Sequence, residues 1–544
     1  MRILAAQLNP TIGDVEGNAQ KVISALDRAR RQKADVVVFP ELTLSGYCPD
    51  DLLLDSRFID AIFQKLEEIV PHTKGLFAAI GLPRSSGGKK EKLLYNSVAV
   101  CADGKLLGFK NKTLLPTYDV FDERRYFEPG EEEILWEYMG RRIAVTICED
   151  VWQHAKSVGY THYARDPVLE LKEKRPDLVL NLSGSPYSYG RNHTRLSVFS
   201  KAAKTLLCPL IFCNQVGGND QLLFDGYSFY LNEKGELIQQ AKGFIEDDLI
   251  VDLSTHACPS PPDEHPTKDL YSALVLGVKD YFHKQGFKQA LLGLSGGIDS
   301  ALALCIAVDA LGSESVLALT LPSRYSSKGS VADSRNLAKN LNVELIEVPI
   351  EPIFKSYLDL LKESFRESPL DLTEQNLQSR IRAMILMAYS NQYGALLLNT
   401  GNKSELAMGY TTLYGDMAGG FAPLHDVTKR KIYELARFIN EKGEIIPQAI
   451  IDKAPSAELK PNQKDTDTLP PYEMLDAVIE DYIEERLPVE EIAKRRKLEL
   501  EFVKDLVHKI HLAEYKRRQA PLSLRVTLKA FNRGRQIPIV QKWI

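Results

Sequence analysis

The sequence predicts two α/β domains joined by a linker. Its 544 residues are more than one hydrophobic core normally serves. Short strand-like runs dominate the first half, whereas strands alternate with longer helical patterns in the second half. The segment DLSTHACPSPPDEHPTK, with four prolines, separates the two regions and is a poor helix or strand. We therefore predict a first domain at 1–252, a linker at 253–268 and a second domain at 269–544.

The first domain is predicted to be dominated by β-sheet, with helices packed on the sheets. Its apolar, β-rich runs are separated by amphipathic stretches. These runs are RILAAQL, ADVVVFP, LFAAIGLP, YNSVAVC, RRIAVTIC, DLVLNLS, PLIFCNQV and GYSFYLN.

The second domain is predicted to contain a parallel, doubly wound, Rossmann-like sheet. The strand-like runs QALLGL, SVLALTL and ELIEVPI alternate with the helical patterns ALALCIAVDAL and VADSRNLAKNL. The chain then ends in a charged segment that is mainly helical by spacing.

Composition limits the possible functions. The net charge of −5 gives no overall polycation of the kind that binds nucleic acid. No apolar run reaches the ~18–20 residues that span a membrane, and no N-terminal stretch has the pattern of a secretion signal. The seven scattered cysteines include no C-x-x-C pair, which favours a reducing compartment over a disulfide framework. We expect a cytoplasmic enzyme with no nucleic-acid or membrane partner.

Three side chains in the first domain suit acyl transfer. Glu41 and Cys148 each follow a strand-like run, where α/β proteins commonly place their chemistry, and Lys112 lies between them in sequence. A thiol needs a base before it is a good nucleophile, and a lysine can stabilise an oxyanion. By residue type alone, each could instead be structural, since cysteine is often a small buried apolar residue.

The surrounding segments resemble the carbon–nitrogen hydrolase (nitrilase) superfamily. FPELTLSGYCPDDLL, KTLLPTYDVFDERRYF and ICEDVW are similar to its three signature segments and occur in the same order. The resemblance implies an α/β/β/α sandwich with a Glu–Lys–Cys triad. In this chain Glu41 would be the general base, Lys112 would stabilise the intermediate and Cys148 would be the nucleophile.

The same resemblance implies a site for L-glutamine. Glu123 corresponds to a second glutamate that supports the triad, and NLSGSPYSYGR resembles a substrate loop of glutamine-hydrolysing members. Ser185 and Arg191, with Tyr118, would bind the amino-acid group. Arg191 stands where the family usually has lysine, which keeps the charge but changes its geometry.

The glycine-rich turn in QALLGLSGGIDSALALCIAV has two interpretations. It contains a G-x-S-x-G pattern, so Ser295 could be the nucleophile of a serine hydrolase, with Asp416 and His425 in the required order. It is also a turn before a helix N-terminus, which attracts phosphate. We favour phosphate, because Asp299 and Ser300 are explained if a Mg²⁺ ion mediates between the carboxylate and the phosphates. The lysine-containing triphosphate-loop pattern is absent.

Further segments narrow this interpretation. SGGIDS resembles the loop of the N-type ATP pyrophosphatases, which cleave ATP to AMP and pyrophosphate. LPSRYSS, TEQNLQSRIRAMILMAYSN, NTGNKSELAMGYTTLYGDMAGGFAPLHDVTK, APSAEL and YKRRQAP are similar to NAD⁺ synthetases. With the nitrilase-like region in front, the whole chain resembles the glutamine-dependent NAD⁺ synthetase family.

This resemblance implies the final step of NAD⁺ biosynthesis, in which deamido-NAD⁺ is amidated through an adenylate with ATP, Mg²⁺ and ammonia from glutamine. It also implies a homo-oligomer. Mg²⁺ would be held by Asp299 and Glu405, and deamido-NAD⁺ contacted by Asn376, Glu405 and Lys516. Leu413 replaces a lysine of ammonia-only members. The ATP-binding residues would be Gly293, Leu294, Ser295, Gly296, Gly297, Ile298, Asp299, Ser300, Thr400, Lys429 and Ser456.

Three alternatives remain at this stage. The chain could be an amidohydrolase with a degenerate second domain, or an enzyme that amidates another carboxylate or base. The C-terminal segment LPVEEIAKRRKLELEFVKDLVHKIHLAEYKRRQAPLSLRVTLKAFNRGR also has the helical spacing and basic residues of a DNA-binding helix–turn–helix. Interleaved acidic residues argue against that last interpretation, because they would repel phosphates.

Overall fold

The computed structural model describes residues 1–88, 92–157, 161–254, 265–365 and 372–543. The chain divides into two compact units, Met1–Asp269 and Leu270–Ile544. The predicted linker lies largely outside the described residues, at 255–264. The predicted domain boundaries stay a prediction.

The first unit contains two six-stranded sheets, ordered β14-β1-β2-β3-β4-β5 and β13-β12-β9-β8-β7-β6, and a small pair β10-β11. Strands β1, β2 and β3 are parallel, as are β7, β8 and β9. The strands are β1 (Arg2–Gln7), β2 (Val36–Val38), β3 (Phe77–Ser85), β4 (Leu94–Ala102), β5 (Lys105–Asn111), β6 (Leu135–Tyr138), β7 (Arg141–Ile147), β8 (Leu178–Ser183), β9 (Leu210–Asn214), β10 (Val216–Asn219), β11 (Leu222–Asp225), β12 (Phe229–Leu231), β13 (Leu237–Gln240) and β14 (Asp247–Asp252).

Three apolar cores make this unit a four-layer sandwich. The two sheets pack face to face through residues such as Val36, Val98, Val145 and Leu180. A second core joins the first sheet to α1 and α2, and a third joins the second sheet to α3 and α4. The helices are α1 (Val15–Arg31), α2 (Ser56–Ile69), α3 (Pro167–Lys174) and α4 (Arg191–Leu206). The predicted α/β/β/α sandwich is confirmed.

Local sequence explains where these helices begin. The Asp14 side chain accepts a hydrogen bond from the backbone of Gly17 and caps α1. Asp166 caps α3 in the same way, and Pro167 occupies its first position, where no backbone donor is needed.

The second unit is built on a four-stranded, fully parallel sheet. Its order is β17-β16-β15-β18, so the chain order reverses between β15 and β18. The strands are β15 (Ala290–Gly293), β16 (Val316–Thr320), β17 (Glu344–Glu347) and β18 (Leu396–Leu397). In such sheets, ligands bind beyond the carboxyl ends of the strands at this reversal point. The predicted doubly wound sheet is confirmed.

Helices cover both faces of this sheet. Helices α6 and α7 pack near β15, β16 and β17, and an apolar core joins the sheet to α8 and α9. The helices are α5 (Pro266–Gln285), α6 (Ile298–Leu311), α7 (Lys328–Asn340), α8 (Glu351–Phe365), α9 (Leu372–Tyr393), α10 (Lys403–Met408), α11 (Lys429–Asn440), α12 (Gln448–Asp452), α13 (Tyr472–Ile479), α14 (Val489–Arg496), α15 (Leu500–Leu512) and α16 (Glu514–Arg517).

Shorter turns complete the elements. The 3₁₀ helices are Asp50–Leu54, Val70–Thr73, Glu123–Arg125, Cys148–Val151, Gln153–Ala155, Ser313–Ser315 and Asp465–Asp467, and Glu480–Glu484 is a π-helix.

The C-terminal helices are part of a core. Helices α14 and α15 pack with α10 and α13 through apolar residues such as Ile492, Val503 and Ile510. The helix pair that resembles a DNA-reading motif therefore has a structural role. No helix in the described ranges has the length and apolar character needed to cross a membrane.

Candidate active sites

Glu41 and Lys112 form a buried ion pair where β2 and β5 end. Lys112 Nζ lies 2.6 Å from Glu41 Oε1 and 2.7 Å from Glu123 Oε1. Burial alone would lower the pKa of Lys112, but the two carboxylates outweigh it and raise the pKa well above its usual value. The lysine therefore remains cationic in the interior, where it can stabilise negative charge.

Two neutral side chains hold this network in place. Asn96 Nδ2 donates to Glu41 Oε1 at 2.7 Å and to Glu123 Oε2 at 3.3 Å. The Tyr47 hydroxyl donates to Glu123 Oε1 at 2.9 Å. Burial raises the pKa of Glu123 to about 7. Both carboxylates therefore accept hydrogen bonds from fixed donors. These bonds hold the Glu41 carboxylate in one orientation.

Cys148 lies in a strained turn at the carboxyl end of β7. Its φ of +40° is uncommon for a non-glycine residue and marks the sharp bend into a 3₁₀ helix. Asp150 fixes the bend, because its carboxylate accepts from the backbone N–H of Ile147 at 3.0 Å. The same carboxylate accepts from Thr113 and Leu114 at 3.0 and 2.9 Å. Asp150 thereby ties the Cys148 turn to the segment that carries Lys112.

The environment of Cys148 favours the neutral thiol. Burial raises its pKa well above the usual value, Glu41 raises it further, and Lys112 opposes this rise. A neutral thiol requires a base, and Glu41 is a carboxylate of the same buried group. Glu41 Oε2 also accepts from the N–H of Gly184, the residue after β8, at 2.9 Å. This arrangement suits attack of a thiol on an amide, followed by hydrolysis of the thioester.

A polar cluster built on Glu149 contains two of the predicted glutamine-binding residues. The Tyr118 hydroxyl lies 2.9 and 3.1 Å from the two Glu149 oxygens, and Tyr163 donates to Oε1 at 3.1 Å. Burial raises the pKa of Glu149, whereas Arg191 opposes this effect. The Arg191 guanidinium stacks 4.1 Å from the ring centroid of Trp152. The cluster therefore offers a guanidinium group for the carboxylate of a free amino acid and a carboxyl group for its ammonium.

Ser185 lies next to Gly184 and is buried. Its N–H donates to Asn214 Oδ1 at 2.9 Å, and its carbonyl accepts from Asn214 Nδ2 at 3.2 Å and from Arg195 Nη2 at 3.4 Å. These contacts fix its backbone close to Glu41. They do not pair its hydroxyl with the Glu149 cluster.

In the second unit, the glycine-rich turn joins β15 to α6. Gly296 has φ +78°, and a Cβ there would lie 2.2 Å from the Ser330 carbonyl oxygen, so only glycine fits. The Ser295 hydroxyl lies 3.1 Å from that of Ser300 and accepts from the Gly297 N–H at 3.3 Å. The turn therefore has hydroxyls and backbone donors at a helix N-terminus, as a phosphate site requires.

The serine-hydrolase interpretation is not supported. His425 Nε2 lies 2.8 Å from Asn399 Oδ1, and Asp416 Oδ1 accepts from the Thr412 N–H at 2.7 Å. Burial lowers the pKa of His425 to about 4. No hydrogen bond joins Ser295 to His425 within the ranges that the structure describes. These three side chains therefore do not form a triad.

Asp299 and Glu405 both lie close to the ammonium group of Lys429. Lys429 Nζ lies 2.5 Å from Asp299 Oδ2 and 3.6 Å from Glu405 Oε1, and Asn402 Nδ2 donates to Asp299 Oδ1 at 2.8 Å. Burial raises the pKa of Glu405 to about 8. Carboxylate oxygens suit Mg²⁺, which usually takes one or two carboxylates and completes its shell with waters and phosphate oxygens. Among the described residues, no group of three or more His, Cys, Asp or Glu converges as a metal site.

A cavity of about 320 Å³ lies beyond the carboxyl ends of β15 and β18. Every predicted ATP-binding residue except Gly296 lines it, and so does Glu405. Gly296 instead contacts the Ser330 backbone, which lets the turn approach α7. The position at the reversal of strand order is the expected one for a nucleotide.

Asn376 and Lys516 do not line this cavity; they hold a neighbouring loop. Asn376 Oδ1 accepts from the Thr412 hydroxyl at 2.9 Å. Lys516 Nζ donates to the carbonyls of Gly409 and Thr411 at 2.7 and 2.6 Å. Leu413, two residues after Thr411, accepts a hydrogen bond from Arg380 through its carbonyl. Direct contact of Asn376 and Lys516 with deamido-NAD⁺ stays a prediction.

Comparison with known proteins agrees with the two-part architecture. The family model for carbon-nitrogen hydrolase matches residues 2–260, and that for NAD synthase matches residues 270–520. A glutamine-dependent NAD(+) synthetase of Synechocystis is 44% identical, over 99% of this chain and 98% of that protein. One from Thermotoga maritima is 40% identical, over 100% and 99%.

The chain belongs to the glutamine-dependent NAD⁺ synthetase family. A solved member, from Acinetobacter baumannii in complex with ADP, is 39% identical with a TM-score of 0.77, covering 100% of this chain and 99% of that one. A synthetase from Cytophaga hutchinsonii, 22% identical with a TM-score of 0.86 over 99% and 98% of the two chains, has the same fold.

Several residues of the two sites could not be identified from the sequence. Glu149 and Asp150 directly follow the cysteine, so their position was the available signal. Asn96 lies within β4, and Tyr47 and Asn402 in loops, and nothing in the sequence patterns placed them beside Glu41, Glu123 and Asp299. Their roles depend on tertiary contacts.

Proposed function

We propose that this chain amidates deamido-NAD⁺ to NAD⁺, using ATP and ammonia taken from L-glutamine. The products are AMP, pyrophosphate and glutamate. The observation that carries the proposal is the presence of both required sites in one chain: a buried Glu–Lys–Cys group in the first unit and a nucleotide-sized cavity with a phosphate turn in the second. The end-to-end similarity to glutamine-dependent NAD(+) synthetases supports it.

In the first unit, Glu41 takes the thiol proton as Cys148 attacks the side-chain amide of glutamine. Lys112 stabilises the oxyanion, ammonia leaves, and water releases glutamate from the thioester. Glu123 keeps Lys112 in position at 2.7 Å. Removal of the thiol proton only during the reaction follows from the raised pKa of Cys148.

Recognition of glutamine is assigned to the polar cluster beside the thiol. Arg191 would pair with the α-carboxylate, and Tyr118 with Glu149 would receive the α-ammonium. Glu149 is a better partner for that ammonium than a hydroxyl alone, because an ammonium beside it favours the ionised carboxylate and forms a charge-assisted hydrogen bond with it. Ser185 contributes through its fixed backbone.

In the second unit, the nicotinate carboxylate of deamido-NAD⁺ attacks the α-phosphate of ATP. A carboxylate is a poor electrophile, so the adenylate is needed before ammonia can displace AMP. The turn Gly293–Ser300 binds the ATP phosphates, and Thr400, Ser456 and Lys429 contact ATP from the wall of the same cavity. Mg²⁺ held by Asp299 and Glu405 would neutralise charge on the departing pyrophosphate.

We further propose that the chain acts as a cytoplasmic homo-oligomer. The cytoplasmic location is supported by the free state of Cys48, Cys101, Cys148, Cys208, Cys213 and Cys305. Light scattering of the purified protein would give the mass of the assembly, and a mass of one chain would contradict the oligomer.

The decisive experiment compares two nitrogen donors. Cys148→Ala should abolish NAD⁺ synthesis from glutamine and leave synthesis from ammonium salts within about twofold, because the thiol serves only the first reaction. Cys101→Ala is the matched control: this buried cysteine lies in β4 of the same unit, and both activities should persist. Loss of both activities in the Cys148 variant would refute the division of labour.

Two alternatives predict different products. An amidohydrolase with a degenerate second unit would release glutamate from glutamine without AMP or pyrophosphate. An enzyme with another acceptor would form AMP only when that acceptor replaces deamido-NAD⁺. Assaying AMP release against a panel of carboxylate acceptors separates both from the proposed reaction.

A further inference from the structure

Lys429, a cation in the wall of the nucleotide cavity, is the first residue of α11. The residue before it, Thr428, is the N-cap, but its side chain does not cap the helix. The Thr428 hydroxyl is buried and has no hydrogen-bond partner within the part of the chain that the structure describes. A helix start leaves backbone N–H groups that need acceptors. The acceptors for α11 must therefore come from another element.

Asp476 of α13 supplies these acceptors. Its Oδ2 accepts from the Arg430 N–H at 2.8 Å. Its Oδ1 accepts from the Ser404 hydroxyl at 2.5 Å, and the Ser404 oxygen accepts in turn from the Lys429 N–H at 3.0 Å. Asp476 is fully buried, and a carboxylate at a helix N-terminus also complements the positive end of the helix dipole. One side chain therefore fixes the first two backbone donors of α11, directly and through Ser404.

Tyr472, also of α13, contacts the other end of Lys429. The Lys429 Nζ lies 5.3 Å from the centroid of the Tyr472 ring, a cation–π distance. The Tyr472 hydroxyl donates to Asp465 Oδ2 at 2.9 Å, which fixes the ring. Tyr472 and Asp476 are four residues apart in α13, so they lie on the same face of that helix. This face holds both the backbone and the ammonium group of Lys429.

We propose that α13 positions Lys429 for ATP, with Asp476 holding the start of α11 and Tyr472 holding the ammonium group. The inference rests on the contact of Lys429 with ATP in the proposed function. Asp476 and Tyr472 are outside the described lining of the nucleotide cavity, whereas Lys429 is part of it, so both act on ATP through Lys429. The Lys429 Nζ lies 2.5 Å from Asp299 Oδ2 in the phosphate turn. A shift of the start of α11 would therefore move the ammonium relative to that turn.

Calorimetric titration of ATP into the full-length protein tests the role of Asp476. Asp476→Ala removes the acceptor that caps α11, and we expect it to raise the Kd for ATP by about fivefold or more, the size of a lost helix cap. Asp481→Ala is the matched control, because Asp481 is a second fully buried carboxylate of this unit and pairs instead with Arg496, at 2.6 Å. Its Kd for ATP should stay within about twofold of the wild type.

Variants of the neighbouring residues give independent tests. Ser404→Ala removes only the hydroxyl that joins Asp476 to the Lys429 N–H, so it should raise the Kd for ATP about threefold even if Asp476→Ala does not fold. Tyr472→Leu removes the ring and should raise the Kd about threefold, the size of one cation–π contact. Tyr472→Phe keeps the ring and should raise the Kd less than Tyr472→Leu does.

A double-mutant cycle shows whether Asp476 acts through Lys429. In the Lys429→Met background, Asp476→Ala should weaken ATP binding by less than about twofold, because the side chain that it positions is gone. Unchanged ATP affinity in Asp476→Ala, or its full effect in the Lys429→Met background, would overturn the proposal. ATP binding needs no acceptor substrate, so this result stands even if deamido-NAD⁺ is not the acceptor.

Kinetics with ammonium salts separate positioning from folding. A smaller folded fraction lowers kcat for AMP formation and leaves each KM unchanged. A displaced Lys429 raises the KM for ATP and leaves the KM for ammonium unchanged, which is the result expected for Asp476→Ala. A fall in kcat alone would show that Asp476 serves stability and not ATP binding.

Discussion

Gly296 offers the sharpest test of the phosphate turn. An alanine Cβ at this position would lie 2.2 Å from the Ser330 carbonyl oxygen, whereas ordinary contacts begin at 3.4 Å. The turn or α7 must therefore move by about 1.2 Å, the difference of these two distances. The φ of +78° adds about 1–2 kcal/mol for a residue with a side chain. Since a displacement of ~1 Å at a reacting group can cost about 100-fold in rate, we expect Gly296→Ala to lower AMP formation about 100-fold.

The assay supplies ammonium salts in place of glutamine, so that only the second unit's chemistry is measured. Gly394→Ala is the control, because Gly394 has φ +62° but nothing lies within 4 Å of the added Cβ. It carries the conformational cost without the clash, and its AMP formation should stay within about threefold of the wild type. Wild-type activity in Gly296→Ala, or an equal loss in Gly394→Ala, would refute the argument from close approach.

Three further predictions concern the first unit. Asp150→Asn leaves at least one of three buried backbone donors without its acceptor, at a cost of about 1.5–3 kcal/mol. We expect NAD⁺ synthesis from glutamine to fall at least tenfold and synthesis from ammonium salts to persist. Equal losses with the two nitrogen donors, or no loss with either, would contradict this. Burial raises the pKa of Glu123 to about 7, so its ionised form, which holds Lys112, is lost as pH falls through 7. We therefore expect kcat/KM for glutamine to fall as pH drops below about 7. Glu123→Gln should remove this acidic limb of the pH–rate profile. Lys112→Met removes a cation that lowers the pKa of Cys148, so iodoacetamide should alkylate the thiol more slowly at a given pH. An unchanged or faster rate would show that the lysine does not lower the pKa of this thiol.

Much of the fold could be predicted because hydrophobic periodicity is local. The runs ADVVVFP and RRIAVTIC became the core of β2 and β7, and QALLGL and SVLALTL became β15 and β16. The strand order could not be read from these runs, since it depends on which strands pair across the chain. The reversal between β15 and β18, which places the nucleotide cavity, appears only in the folded sheet.

The residues of the candidate sites likewise divide into those that the sequence predicts and those that only the folded structure reveals. Glu41, Lys112 and Cys148 were predicted from their resemblance to signature segments, and the fold brings Glu41 and Lys112 into contact at 2.6 Å. Asn96 was missed because an asparagine within a strand gives no signal until the partner strand is known. Asn376 and Lys516 were predicted from the resemblance to contact deamido-NAD⁺, but the structure places them around a loop beside the cavity and not in its wall.

The two sites share one electrostatic design with different outcomes. In each, a buried lysine lies near two carboxylates: Lys112 with Glu41 and Glu123, and Lys429 with Asp299 and Glu405. Two carboxylates against one ammonium leave about one excess negative charge in a desolvated place, and burial accordingly raises the pKa of one carboxyl in each group. In the first unit, this excess disfavours a thiolate and leaves a carboxylate able to accept the thiol proton. In the second unit, we propose that it attracts a further cation, which the ATP phosphates would share. We therefore propose that the same charge balance serves a general base where the neighbour is a thiol, and a cation site where the neighbour is a phosphate turn.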